Sequence, residues 1–185
     1  DRIAVMVGNT PEYFILKLSL NYYGLSCIPI NKELSINEIT YILDNSDSKY
    51  LVISSNGNSI IKKILEKFKK KLSILTLNNS NRLNFLIKNS FNIVKTSRKL
   101  NSKTESSILY TSGTTGKPKG CILNHEYEIN AGYSYAKKKG LISFKVGKER
   151  LYNCLPVHHV NSGILSFFSM MITGNCQIQS ERFSV

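Results

Sequence analysis

Short apolar runs recur along the first part of the chain, at Arg2–Val7, Cys27–Ile30, Lys49–Ser54 and Leu72–Leu77. Between them lie stretches with helical spacing. The first opens on Thr10-Pro11, carries Phe14, Ile15, Leu18 and Tyr22, and stops at Gly24. It predicts a helix with Thr10 as N-cap and Pro11 in the first helical position. The second, Ser35 to Asn45, pairs Ser35 with Glu38 in a capping-box pattern. The third, Ser59 to Lys70, gathers Ile60, Ile61, Ile64, Leu65 and Phe68 on one face and lysines elsewhere. Strands that alternate with helices of this length predict βαβ units with right-handed crossovers. The fold class is therefore α/β, with mainly parallel sheets flanked by helices.

The pattern lapses between Asn78 and Thr104, a polar stretch read as a variable connection with one short helix near Leu83–Lys88. It then resumes. Ser106–Tyr110 predicts a strand, and Cys121–Leu123 a brief apolar run. Asn124 predicts the cap of a helix reaching about Lys139, and Leu151–Leu155 another strand. A loop with Pro156, His158 and His159 leads to an apolar helix over 160–173, stopped at Gly174, and Cys176–Gln179 predicts the last strand. Residues 1–100 read as a first α/β layer, and residues 105–185 as the start of a next sheet.

The net charge of +13 is concentrated. Lys62 to Lys103 holds twelve lysines and arginines against one acid, Glu66. Such a patch can serve nucleic acid, a membrane surface or an acidic partner. Lysine greatly outnumbers arginine there, aromatics are sparse (Phe68, Phe85, Phe91), and the whole chain is rich in Lys, Asn and Ile. Compositional drift explains the patch, and no nucleic-acid partner is expected. Cys27, Cys121, Cys154 and Cys176 form no C-x-x-C pair, and His125, His158 and His159 complete no zinc spacing. Reduced, buried thiols in a cytoplasmic protein are expected. No apolar run approaches the roughly 18 residues of a membrane helix.

Residues 110–120 read YTSGTTGKPKG. Glycines let backbone N–H groups converge on an anion without Cβ obstruction. Thr111, Ser112, Thr114 and Thr115 add hydroxyls, and Lys119 a charge that reaches phosphate oxygens. The common P-loop does not fit, because Gly113 and Gly116 are too close and Pro118 follows Lys117. A dinucleotide G-x-G-x-x-G does not fit either. A plain surface loop of turn formers is the alternative, and it leaves the order of these residues after an apolar strand unexplained.

Thr111 to Gly120 resembles, at every position, the phosphate loop (S/T)-S-G-(S/T)-T-G-x-P-K-G of the adenylate-forming superfamily: acyl-CoA synthetases, peptide-synthetase adenylation domains and beetle luciferases. Asp1–Pro11, Gly24–Asn31 and Ser35–Ser54 resemble the family's early segments. Leu155–His159 resembles the motif that delivers a histidine or aromatic to the site. Leu151–Gln179 looks most like the branch of carnitine or crotonobetaine CoA ligases. The resemblance covers nearly the whole chain and is weakest over 78–104.

The resemblance implies that the chain is part of the large N-terminal domain of such an enzyme. A small carboxylic acid would attack the α-phosphate of ATP, leaving an acyl-adenylate and pyrophosphate, and coenzyme A would then take the acyl group. Thr111, Ser112, Gly113, Thr114, Thr115, Gly116 and Lys119 would bind ATP, with Lys119 acting on the leaving pyrophosphate. Thr115 would meet Mg²⁺ through the ATP phosphates. His159 would border the acyl pocket and the path of the thiol. His125 and His158 are expected to be structural, and Lys117 solvated. Asp1 and Val185 read as cut ends, and the family's later adenine-, ribose- and lid-lysine motifs are not reached. The 185 residues are thus expected to be inactive alone, with apolar surface exposed. The competing readings are a non-catalytic nucleotide-binding remnant, a peptide-synthetase-like adenylation domain, and a nucleic-acid binder using Lys62–Lys103.

Overall fold

A computed structural model describes residues 1–54, 58–68, 71–77, 99–111, 116–140 and 143–181. The strands are β1 (Arg2–Met6), β2 (Ser26–Pro29), β3 (Tyr50–Ser54), β4 (Ser73–Leu77), β5 (Glu105–Thr111), β6 (Lys119–Asn124), β7 (Arg150–Asn153) and β8 (Cys176–Gln179). The helices are α1 (Pro11–Tyr22), α2 (Ile36–Asn45), α3 (Asn58–Lys67), α4 (His125–Ala136) and α5 (Phe167–Ile172), the last preceded by a π-helical segment, Asn161–Ser166. The helix expected near Leu83–Lys88 lies outside the described residues.

Among the described residues, one sheet runs in the order β4-β3-β1-β2-β5-β6, and a second pairs β7 with β8. β1 to β5 are parallel, β6 returns antiparallel to β5, and β7 and β8 are parallel. A new sheet therefore does not begin at residue 105. β5 docks on β2 through the register Cys27↔Ser107, and the second sheet starts only at β7.

The two faces of the sheet carry different helices. β1 is buried on both, as a central parallel strand must be. Ala4 and Met6 join Ile28, Leu51 and Ile108 under α2 and α3. Ile3, Val5 and Val7 join Cys27 and Val52 under α1. The helix after β1 and the helix after β2 thus leave toward opposite faces.

Helix starts follow the sequence. Ser35 Oγ accepts the Glu38 N–H, and Glu38 Oε2 accepts the Ser35 N–H at 2.9 Å, a complete capping box. Asn124 Oδ1 accepts the Tyr127 N–H at 2.8 Å. Thr10 occupies the N-cap position in extended geometry ahead of Pro11, but its side chain makes no capping bond.

Three expectations are corrected. The buried side of α1 is Tyr13, Phe14, Lys17 and Asn21, while Ile15, Leu18 and Tyr22 are exposed. The cause is polar partners deep in the fold: Lys17 meets Glu128, and Asn21 Nδ2 donates to Ser106 O at 2.7 Å. On α3, Ile64 and Phe68 are buried but Leu65 faces outward. Of the four thiols only Cys27 is fully buried, and Cys121 and Cys176 are exposed. Apolar side chains are also exposed on β6 to β8, among them Ile122, Tyr152 and Ile178. Among the described residues no helix is long and apolar enough to cross a membrane.

Candidate active site

β1 and β2 are neighbours whose following helices pack on opposite faces, so a crevice opens past their C-terminal ends. Crevices at such points are where open α/β sheets receive ligands. Two clefts occupy this edge. One, of about 400 Å³, is lined by Gly8, Asn9, Lys32, Glu33, Cys154 and His158 among others. The second, of about 440 Å³, lies toward β5 and is lined by Pro29, Asn31, Thr111, Pro118, His158 and His159 among others. Asn31 and His158 line both.

The glycine-rich loop joins β5 to β6. Thr111 and Lys119 are directly opposed across the hairpin, so both side chains leave the neck of the loop on one face of the sheet. Gly120 lies opposite Tyr110, and a Cβ there would come within 3.0 Å of the Tyr110 ring and of Ile108. The ring is held across that strand by the bond from Tyr110 Oη to Asn45 Oδ1, 2.7 Å. Gly116 has φ +82°, and a Cβ there would meet no atom of the described residues within 4 Å, so backbone conformation alone requires glycine. Lys117 is exposed, with its ammonium 5.8 Å from the centroid of the Tyr41 ring. Ser112, Gly113, Thr114 and Thr115 lie outside the described residues.

Thr111 and His159 therefore share a cleft, and Lys119 stands across the hairpin from Thr111. The histidines follow β7 on a tight turn. Their rings lie 4.6 Å apart at 40°, His158 half-buried and His159 exposed. Burial pushes the His158 imidazole down to about 4, assisted by His159 and opposed by Glu33. Below its ordinary value the unfolded chain takes up a proton that the folded chain refuses. Stability should thus fall as pH drops from about 6.5 toward 4. Thermal midpoints across that window check this. His158→Gln should flatten the slope, and an unchanged slope in that variant would assign it to other groups.

Sequence reasoning missed one buried group. Lys17 Nζ and Glu128 Oε1 are 2.8 Å apart with both side chains 1% exposed. Ser107 Oγ donates to the same oxygen at 2.6 Å. The pair joins α1 to α4 beside Ser107 of β5, toward the end of the hairpin away from the loop. Beside it burial raises the Cys27 thiol to about 11 and holds the Tyr13 hydroxyl well above its ordinary value. Glu128 Oε2 and His125 Nε2 are buried without a hydrogen-bond partner among the described residues, and burial lowers the His125 imidazole. The available signal was a lysine in the mainly apolar α1 and a glutamate in the polar α4, legible only once each was known to face the other.

Comparison with known proteins agrees with this geometry. Over 192 residues the chain is 26% identical to a crotonobetaine/carnitine–CoA ligase of Escherichia coli, covering all of this chain and 36% of that protein. It is 27% identical over 171 residues to a long-chain-fatty-acid–CoA ligase of Mycobacterium tuberculosis, covering 92% of this chain and 33% of that one. Its fold matches O-succinylbenzoate coenzyme A synthetase of Bacillus subtilis, solved with ATP and magnesium, with TM-score 0.77 at 22% identity, over all of this chain and 45% of that one. The chain spans about a third of the length of the curated relatives it matches. The family model for AMP-binding enzymes matches residues 1–185, and the chain belongs to that family.

Proposed function

We propose that the protein of which this chain is part activates a carboxylic acid with ATP and passes the acyl group to coenzyme A. The observation that carries the reading is one cleft bordered by both Thr111, at the neck of the loop, and His159. The named activities of the relatives, all coenzyme A ligases, favour a coenzyme A acceptor over a carrier-protein thiol.

In the first step a carboxylate oxygen attacks the α-phosphorus of ATP, and the bond to pyrophosphate breaks. Negative charge grows on the leaving group, and fixed donors aimed there lower the barrier. In this reading Thr111 and Lys119, opposed across the neck of the hairpin, supply donors to that charge, and Gly116 gives the loop its left-handed backbone. In the second step the thiol sulfur attacks the acyl carbon and AMP leaves. His159 would border the acyl group and the incoming thiol, and the adjoining cleft with Lys32 and His158 offers the thiol a route. Among the described residues no cluster of acidic, histidine or cysteine side chains could hold a metal ion. Magnesium would enter with the ATP phosphates and neutralise their charge, and Thr115 is the hydroxyl we assign to it. A reaction that draws on ATP and coenzyme A suits the cytoplasm, the compartment we assign to it.

The test is carboxylate-dependent exchange of labelled pyrophosphate into ATP by the complete protein. A panel spanning betaine-type and fatty carboxylates should give exchange with at least one. His159→Ala should lower the subsequent thioester formation by about 10²-fold, on the scale of a lost positioning group. Absence of exchange across the panel would remove the reading.

A further inference from the structure

The turn that carries His158 and His159 is held from three sides. From the β1–α1 turn, Asn9 Oδ1 accepts the Val157 N–H at 2.9 Å. From the end of β7, Asn153 Oδ1 accepts the Leu155 N–H at 3.1 Å, and Asn153 Nδ2 donates to Ser162 Oγ at 2.9 Å. From the π-helical segment, Gly163 presses on the Val157 carbonyl so closely that a Cβ would sit 2.2 Å from its oxygen. The Gly163 N–H donates to His159 O at 2.9 Å, and the His159 N–H donates to Pro156 O at 3.0 Å.

The turn's own backbone supplies only the last of these bonds. The N–H groups of Leu155 and Val157 are met by side chains, one of them from near the other end of the chain. Val157 itself is buried in the core under α1 with Tyr13 and Phe14. A backbone donor there needs a partner or forfeits its hydrogen bond on burial. Asn9 supplies it. The π-helical register belongs to the same arrangement, since Gly163 brings the helix backbone onto the turn at a distance that no side chain allows.

We infer that Asn9 and Gly163 are positioning residues that fix where His159 stands at the mouth of the cleft; this rests on the proposed role of His159. Neither residue lies in the phosphate hairpin. Asn9 is half-buried, so shortening it removes an acceptor rather than core volume.

The experiment is carbethoxylation of the complete protein by diethyl pyrocarbonate near neutral pH, mapped to His158 by peptide mass. The ring shares its surroundings with His159, Lys32, Glu33 and Glu181. It is neutral near pH 7 with the turn closed or open, so the rate reports access. Asn9→Ala should speed modification of His158 about tenfold, the factor that one lost hydrogen bond gives in a local opening equilibrium. Asn9→Asp keeps the acceptor and should restore the wild-type rate. Gly163→Ala should act like Asn9→Ala if it folds, and the Asn9 pair decides the matter if it does not. A rate in Asn9→Ala within a factor of about two of wild type, below what loss of that bond predicts, overturns the inference. kcat/KM for coenzyme A in thioester formation is read in parallel. Faster modification with lower kcat/KM, both rescued by Asp, supports it. Faster modification with kcat/KM unchanged in both Asn9→Ala and His159→Ala leaves the clamp standing and removes His159 from the mechanism.

Discussion

Glu128→Leu should destabilise the protein by about 3–5 kcal/mol, because it strands the Lys17 ammonium in the interior without its counter-charge. Both side chains are 1% exposed, and the carboxylate also receives the Ser107 hydroxyl. Lys17→Met should cost a similar amount by leaving the carboxylate alone with that one donor. The double variant Lys17→Met/Glu128→Leu should recover most of the loss, since a buried ion pair replaced by apolar groups of similar volume is often neutral or better. Denaturant unfolding of the four proteins closes the cycle. Single variants that unfold like wild type would mean that the pair contributes nothing. A double variant as unstable as the sum of the singles would mean that each side chain acts through other contacts.

Lys119→Ala should lower adenylation by about 10²–10³-fold, the usual effect of removing one donor aimed at developing charge. The fold should survive, because Lys119 is exposed at the start of β6 and joins no core. Lys119→Arg should recover only part of the rate, since a planar fork does not place its charge where an ammonium does. Pyrophosphate exchange at saturating carboxylate measures this, with the thermal midpoint as control. A wild-type rate in Lys119→Ala with an unchanged midpoint would take the lysine out of the chemistry.

Most of the scaffold was legible in the residues because local signals and tertiary structure coincide there. The capping box at Ser35, the cap at Asn124 and the apolar run of β1 each read the same way at both levels. The phase of α1 was not legible. Apolar spacing favoured Phe14, Ile15, Leu18 and Tyr22, whereas the fold buries Lys17 and Asn21 because Glu128 and Ser106 wait for them. A helical period cannot report a partner more than eighty residues away. The same limit hid the membership of β5 in the first sheet, which depends on long-range contacts: the pairing of Cys27 with Ser107 and the two-toothed Arg2–Glu105 pair at 2.8 Å. That pair holds the Glu105 carboxyl below its ordinary value. At the site, the loop motif and His159 were legible as types, and Thr111 with His159 proved to share a cleft. The supports of the histidine turn, Asn9 and Gly163, carry no chemical signature, and only coordinates reveal their contacts.

The placement of β5 beside β2 has a consequence during synthesis. β1, β2, β3 and β4 follow one another closely in sequence, but the partner for the free side of β2 begins only at Glu105. At ribosomal speed that partner emerges roughly 4–15 s after β2 itself. Through that interval the nascent β1–β2 pair, joined by β3 and β4 as they emerge, presents an unpaired edge to the other chains around it. Pro29, the last residue of β2, has no N–H to offer an intruding strand. The arrival of β5 then does two things at once: it seals the edge and brings the glycine-rich hairpin to the crevice.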